Sequence, residues 1–548
     1  TANAGIRSGF GSRAGGPKAV AETSHPKGRT LFNTFELTMC SSPQGIASSL
    51  GAGQTEFPPL RSATSCRSTC IGTAALPNRG PMPHPKVDAV AADASSRIDE
   101  AIERLSDYLR YPAISCLPEF AGDVRKLCER VRDDLAEAGF DRARILDAPD
   151  ALPMVAAEWL HAGPDKPVVL IYGHLDLQPV EPENWSTPPH EPTRKGDRLY
   201  ARGSADDMGG WVSHMFALAS WMRVTGGLPC NVKLIIEGEE EIGSPCLESF
   251  MDLYPGAFKS DVMVLTDCEN PSTTVPGLTV SLRGLIEVEL RCVSLDADIH
   301  SGLWGGMVPD PALALCKIIG NLVDDDGRII VGRQEISEED VEGARRVPFD
   351  RDVVRRGAHM VDGVEPLPPR QYPPPIWLWR QPSVTVLSTT LPAPGKEKNA
   401  IRKTASARLS VRLAPTQSAA EMFALLQDAV ANDANCGVNV ELEQVHDFGE
   451  GWLYKPKGPA FPAADRAYEK AWGHKLAHVG VGGSIPFVAL FGRRFGDLPL
   501  ILNGVMDPET TAHGPNESMH LGVFAKAIAA NVFLLDELAA LGTELVRE

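Results

Sequence analysis

The sequence predicts an α/β protein in which a mixed, mostly parallel sheet flanked by helices is interrupted by a separate α+β domain. Three observations carry that expectation. Short apolar runs at residues 168–172, 232–236 and 262–265 are separated by helical or loop segments, which is how strands buried on both faces of a parallel sheet read. Near Ser281 the texture changes, with Ile286, Val288 and Leu290 alternating with polar residues, the period of a strand that keeps one face in water. Near Gly451 the α/β texture resumes and continues to the C-terminus, so the second domain is an insertion.

In chain order, residues 1–85 are expected to lie outside the fold, as a disordered N-terminal extension or an artefact of gene-start assignment. They are rich in Gly, Ser, Pro and Arg, and their only acids are Glu22, Glu36 and Glu56; such a segment has too little apolar surface to offset its chain entropy. The first part of the α/β domain spans residues 86–280, with order expected from Ser95. Ile98, Ile102, Leu105 and Leu109 recur at helical spacing, and a second helix carries Phe120, Val124, Leu127, Val131 and Leu135, with Gly139 as its cap. The insertion covers residues 281–450, with a helix near 311–322, strands at 384–386 and 407–413, and a Pro-rich loop at 366–375. Residues 451–548 complete the α/β domain.

Composition narrows the class of ligand. The chain has 548 residues and a formal net charge of -18, which disfavours nucleic acid, because a polyanion calls for a basic face. No stretch approaches the roughly 20 apolar residues of a membrane span. A small molecule is therefore the expected partner. Of the eleven cysteines only Cys66 and Cys70 lie close together, so neither a disulfide framework nor a thiolate metal site is expected, and a reducing, cytoplasmic setting is. Cys128 and Cys316, among apolar neighbours, read as small buried hydrophobes.

Each of the three apolar runs ends in polar groups that bind metals, at the carboxyl ends of strands where open α/β sheets place their sites. The first leads into Gly173-His174-Leu175-Asp176, the second into Glu237-Gly238-Glu239-Glu240-Glu241, and the third into Thr266-Asp267. Three consecutive acids at a strand end repel one another, and cations relieve that cost. Arg202-Gly203-Ser204-Ala205-Asp206-Asp207 opens an apolar helix, so its acids serve equally well as caps or as ligands. His513 lies in Thr511-Ala512-His513-Gly514-Pro515-Asn516-Glu517. Taken together, two imidazoles and several carboxylates suit zinc or manganese better than calcium.

These ordered motifs, with Leu177-Gln178-Pro179 extending the first and Ile242-Gly243-Ser244 the third, resemble those of the carnosinase and dipeptidase type of di-metal metallopeptidases. That is peptidase family M20, whose relatives include glutamate carboxypeptidase and aminoacylase. The resemblance runs from about Ser95 to the end. It implies a zinc-peptidase-like catalytic domain interrupted by a dimerisation, or lid, domain. It also implies two divalent ions per subunit, zinc first with manganese or cobalt as alternatives. One ion would be held by His174, Asp206 and Asp267, the other by Asp206, Glu241 and His513. Glu240 would be the base that takes a proton from the water bridging the ions, and Asp176 the carboxylate that orients His174. His300, in Asp298-Ile299-His300-Ser301-Gly302, resembles the residue that reaches the partner's site in a homodimer and stabilises the oxyanion. Asn399, Arg412 and the loop containing Gly483, Ser484 and Ile485 resemble the set that anchors a substrate carboxylate.

The implied reaction is hydrolysis of the amide bond in a dipeptide or similar small substrate with a free carboxylate. Aspartate at position 267 and the length of the insertion resemble the dipeptidase branch. The alternatives are an N-acyl or N-carbamoyl amino acid amidohydrolase acting on an acyl-amino-acid substrate and, from another class, an inactive dimeric binding homologue; the complete ligand set argues against the latter. Two positions depart from the family pattern: Met208 stands where lysine is usual and Arg402 where proline is.

Overall fold

The computed structural model describes residues 84–546 apart from 393, 394, 433–435, 483–485 and 497, so the expectation for residues 1–85 falls almost wholly outside the described residues. A helix at Val87–Ser96 precedes the expected start at Ser95. Its buried Val87, Val90 and Ala94 form a helical stripe that small alanines dilute in the sequence. Helices Ile98–Leu109 and Ala121–Glu137 follow as expected. Gly139 at φ 96° closes the latter. Its N–H donates to Ala136 O at 3.1 Å and that of Phe140 to Leu135 O at 3.1 Å, which satisfies two carbonyls that the helix end leaves open.

The main sheet has six strands in the order Arg144–Leu146, Met154–Trp159, Asn231–Glu237, Val168–His174, Val262–Leu265, Leu500–Leu502. The first two pairings are antiparallel and the other three parallel. Burial on both faces explains the unbroken apolar runs. Val169 and Ile171 enter one core with the helices Met208–Thr225, Ala460–Trp472 and Leu521–Leu541. Leu170 and Tyr172 enter another with Phe250, Phe258 and Phe491.

The insertion is built on an antiparallel four-stranded sheet, ordered Ser383–Thr389, Thr404–Leu413, Gly284–Val293, Asn439–Gly449. Gly284–Val293 alternates buried and partly exposed residues along its length. Its buried side packs on helices Pro311–Asn321 and Ala419–Asn432. Cys128 is buried, but Cys316 is exposed: the inward stripe of its helix is Pro311, Ala314, Leu315 and Ile318, and position 316 falls off it. The Pro-rich run is a loop only to Pro373, because Pro374 begins the helix Pro374–Trp379, a position where proline's missing N–H costs nothing. Where the chain leaves and rejoins the α/β part, Gly277–Leu282 pairs with Trp452–Leu453 and Ala477–Val481. No helix among the described residues is long and apolar enough to cross a membrane.

Candidate metal centre

The carboxyl ends of the central strands converge. His174 is the last residue of its strand, Glu240 and Glu241 open a short turn three residues after Glu237 ends the next, and Asp267 follows Leu265 by two. Asp206 lies two residues ahead of the helix Met208–Thr225, in a loop drawn under the strand ends. The long link to His513 comes from the C-terminal part.

His174 Nε2 is 3.2 Å from Asp206 Oδ1, 3.9 Å from Asp267 Oδ2 and 4.0 Å from Glu240 Oε2. On the far side of Asp206, His513 Nε2 lies 3.1 Å from Asp206 Oδ2 and 3.1 Å from Glu241 Oε2. Asp206 thus offers one oxygen to each imidazole. His174 Nδ1 faces Asp176, 3.1 Å from its carbonyl and 3.5 Å from its Oδ1, while the two carboxylate oxygens of Asp176 accept the N–H groups of Glu240 at 3.1 Å and Glu241 at 3.0 Å. One buried carboxylate therefore orients an imidazole and two glutamates.

The electrostatics are those of a site built for cations. Burial, then Asp206, pushes the Asp267 carboxyl up to about 7, and burial first of all raises Glu240 well above the usual range and also raises Glu241. Burial works to discharge His174, yet Asp176, Asp206, Glu240 and Asp267 outweigh it and hold the ring well above the ordinary imidazole value. Asp206, and then Glu241, raises His513 to about 11. The residues fit a metal on a geometric ground too. Glu241 Oε1 is buried without a hydrogen-bond partner, a costly state unless something else is bound there. Two groups of side chains, His174 with Asp206 and Glu241, and His174 with Glu240 and Asp267, have the spacing to hold an ion.

Two motif residues take a supporting role that their place in the sequence did not assign. Gln178 donates to Glu241 Oε2 at 2.8 Å and to its carbonyl at 3.1 Å. Asp207, whose side chain makes no cap bond to its helix, accepts instead from His174 N–H at 3.2 Å and from Thr266 Oγ1 at 2.6 Å. Both lie inside the motifs, and asking what holds each ligand in place would have singled them out.

Of the remaining expected site residues, His300, Asn399 and Arg412 make no hydrogen bond or ion pair with this cluster among the described residues. His300 is exposed, at the end of Ile299–His300, with Nδ1 accepting from Gly302 N–H at 3.0 Å. Asn399 is exposed beside it, its carbonyl accepting Ser301 N–H at 3.1 Å. Arg412, on Thr404–Leu413 in the four-stranded sheet, is partly buried, and burial lowers its pKa. Gly483, Ser484 and Ile485 lie outside the described residues.

Imidazoles and carboxylates gathered at the carboxyl ends of parallel strands define a metal-dependent hydrolase of the α/β class. The chain belongs to peptidase family M20/M25/M40, whose model matches residues 170–537. It is 31% identical to the cysteinylglycine-S-conjugate dipeptidase of Corynebacterium striatum over 80% of this chain and 95% of that protein. It is 27% identical to the Cys-Gly metallodipeptidase of Saccharomyces cerevisiae over 80% and 94%. Among solved structures, human carnosine dipeptidase 1 superimposes with a TM-score of 0.67 at 23% identity, covering 84% of this chain and all of that one. A metallo-carboxypeptidase of the family from Sulfolobus solfataricus gives 0.63 at 26% identity, over 81% and 99%. The chain is accordingly a metal-dependent peptidase.

Proposed function

We propose that the protein is a dipeptidase that hydrolyses the peptide bond of a dipeptide carrying a free carboxylate, with two divalent ions, zinc first, in each subunit. The observation that carries the reading is Asp206 set between His174 and His513, each about 3 Å from a separate oxygen. His174, Asp206 and Asp267 would hold one ion, and Asp206, Glu241 and His513 the other. When bound, the ions neutralise the buried carboxylates, polarise the scissile carbonyl and bring the pKa of water toward neutrality. Glu240 takes the proton of the attacking water at its carboxylate and returns it to the leaving amine. Asp176 holds the tautomer and direction of His174.

Arg412 and Asn399 bind the substrate carboxylate, together with the loop of Gly483, Ser484 and Ile485. In support, Arg412 has no ion-pair partner among the described residues, so its fork is available to an incoming carboxylate. His300 acts on the oxyanion in the site of a second copy. Supporting this, His300 is exposed and makes no hydrogen bond or ion pair with the cluster of its own chain among the described residues, while Leu303, Met307 and Leu313, on the segment that follows it, are each at least 70% exposed. Exposed apolar side chains of this size suit burial against a second copy. Eight free cysteines among the described residues support a cytoplasmic setting.

The deciding experiment is amino acid release by the zinc- or manganese-loaded protein from dipeptides, N-acetyl amino acids and N-carbamoyl amino acids. Dipeptides are expected to be cleaved fastest. A preference for the acyl or carbamoyl compounds would keep the centre and move the substrate class.

A further inference from the structure

Two residues of the sequence motifs have no part in the chemistry so far: Arg202 and Glu517. Their side chains meet in an ion pair, Arg202 Nη1 to Glu517 Oε2 at 2.8 Å, with the residues 2% and 0% exposed. A buried pair by itself gains little net stability, so the other bonds it makes are informative. Glu517 Oε2 also accepts Gly203 N–H at 3.0 Å, and its Oε1 accepts Ala205 N–H at 3.1 Å and Asp206 N–H at 3.2 Å. On the other side, Arg202 Nη2 donates to His513 O at 3.1 Å. The pair therefore grips the main chain of both residues whose side chains meet 3.1 Å apart in the centre.

The segment around His513 needs such a grip. Thr511, His513 and Asn516 all have left-handed backbone, at φ 58°, 60° and 61°. For non-glycine residues such positions are strained and persist only when the surroundings impose them. Arg202 is fixed in turn by the Trp185 ring, 5.4 Å from its guanidinium.

We infer that Arg202 and Glu517 are positioning residues for the metal centre, locking the Asp206 loop to the His513 loop so that carboxylate and imidazole face each other before an ion arrives. The inference rests on Asp206 and His513 being ligands, as proposed above. Only a carboxylate satisfies the geometry. Four donors converge on its two oxygens, and an amide in its place turns an NH2 group against two of them in either orientation.

The test compares zinc affinity, by competition with a chromophoric chelator, with thermal unfolding of the metal-free protein, in wild type, Glu517→Gln, Arg202→Lys and Asp206→Ala. Glu517→Gln is expected to weaken zinc binding by roughly 10- to 100-fold in a protein that still melts cooperatively. Wild-type affinity in folded Glu517→Gln overturns the inference. If that variant does not fold, Arg202→Lys carries the same expectation, since its single ammonium cannot span Glu517 and the His513 carbonyl. Failure of both to fold assigns the pair to the fold alone and also overturns the inference. Asp206→Ala separates the two layers of argument: if it keeps wild-type affinity the ligand reading fails, whereas if it loses zinc and Glu517→Gln does not, only the positioning role fails.

Discussion

At the scale of single residues, Glu240 and His300 make opposite structural impressions and the same prediction for turnover. Glu240 is in the cluster, 4.0 Å from His174 Nε2, and its N–H is held by Asp176. Glu240→Ala is expected to lower kcat by at least roughly 10²- to 10⁴-fold, the range of a lost general base, with both ions still bound when metal content is measured. His300 is solvent-exposed and makes no hydrogen bond or ion pair with the cluster of its own chain among the described residues, yet His300→Ala is expected to lower kcat by roughly 10²- to 10³-fold with unchanged metal content. Mixing the two inactive variants discriminates further. A hybrid dimer pairs an intact Glu240 site with an intact His300 from the other copy, so activity is expected to return after subunit exchange. Mixtures that stay inactive despite proven exchange would remove the cross-subunit role. The residues that gather in the cluster were legible because each stands directly after an apolar run or inside a distinctive motif. The supporting hydrogen bonds of Gln178 and Asp207 were not, since their partners Glu241 and Thr266 lie 63 and 59 residues away in the chain.

Among elements, the strand Val168–His174 shows how tightly local packing sets the geometry of the centre. A Cβ at Gly173 would come within 2.5 Å of both Asp207 Oδ2 and Thr266 Oγ1, the two atoms whose hydrogen bond ties the helix start to the neighbouring strand end. Gly173→Ala is expected to destabilise the protein by about 1–3 kcal/mol, the usual cost of overpacking, and to weaken zinc binding, because the strain falls beside His174. Chemical denaturation and chelator competition measure the two effects; a variant with wild-type values in both would show that the strand end yields freely. Three of the four parallel strands of the main sheet could be read in advance, because burial on both faces leaves no alternation to misread, whereas the three-residue strand Leu500–Leu502 was too short to stand out. Elements held mainly by small or capping residues could not. Val87–Ser96 hides its buried stripe among alanines, and Glu338–Arg345 and Arg351–Gly357 depend on caps from Ser337 and Asp350 inside a stretch dominated by proline and charge.

For the whole molecule, the proton inventory of the centre connects stability, metal and pH. Without metal, Asp267 titrates near 7 and His513 near 11, both above their ordinary values, although solvent around the half-exposed His513 ring tempers its shift. A raised pKa means the folded state binds the proton more tightly than the unfolded one. The sign is the same for both groups: the metal-free fold is favoured at low pH. The share from Asp267 is lost as pH climbs from about 4 through 7, and that from His513 declines above about 6.5. Metal ligation requires the deprotonated carboxylate and the neutral imidazole, so binding must expel these protons. Zinc affinity is therefore expected to rise about tenfold per pH unit for each proton released between pH 6 and 8. The zinc-induced increase in Tm should accordingly be larger at pH 8 than at pH 6, while the metal-free Tm moves the other way. Calorimetric titration in buffers of different ionisation enthalpy counts the released protons directly. A count of zero, or a zinc-induced Tm increase that shrinks with rising pH, would mean that zinc is held by groups other than this buried cluster.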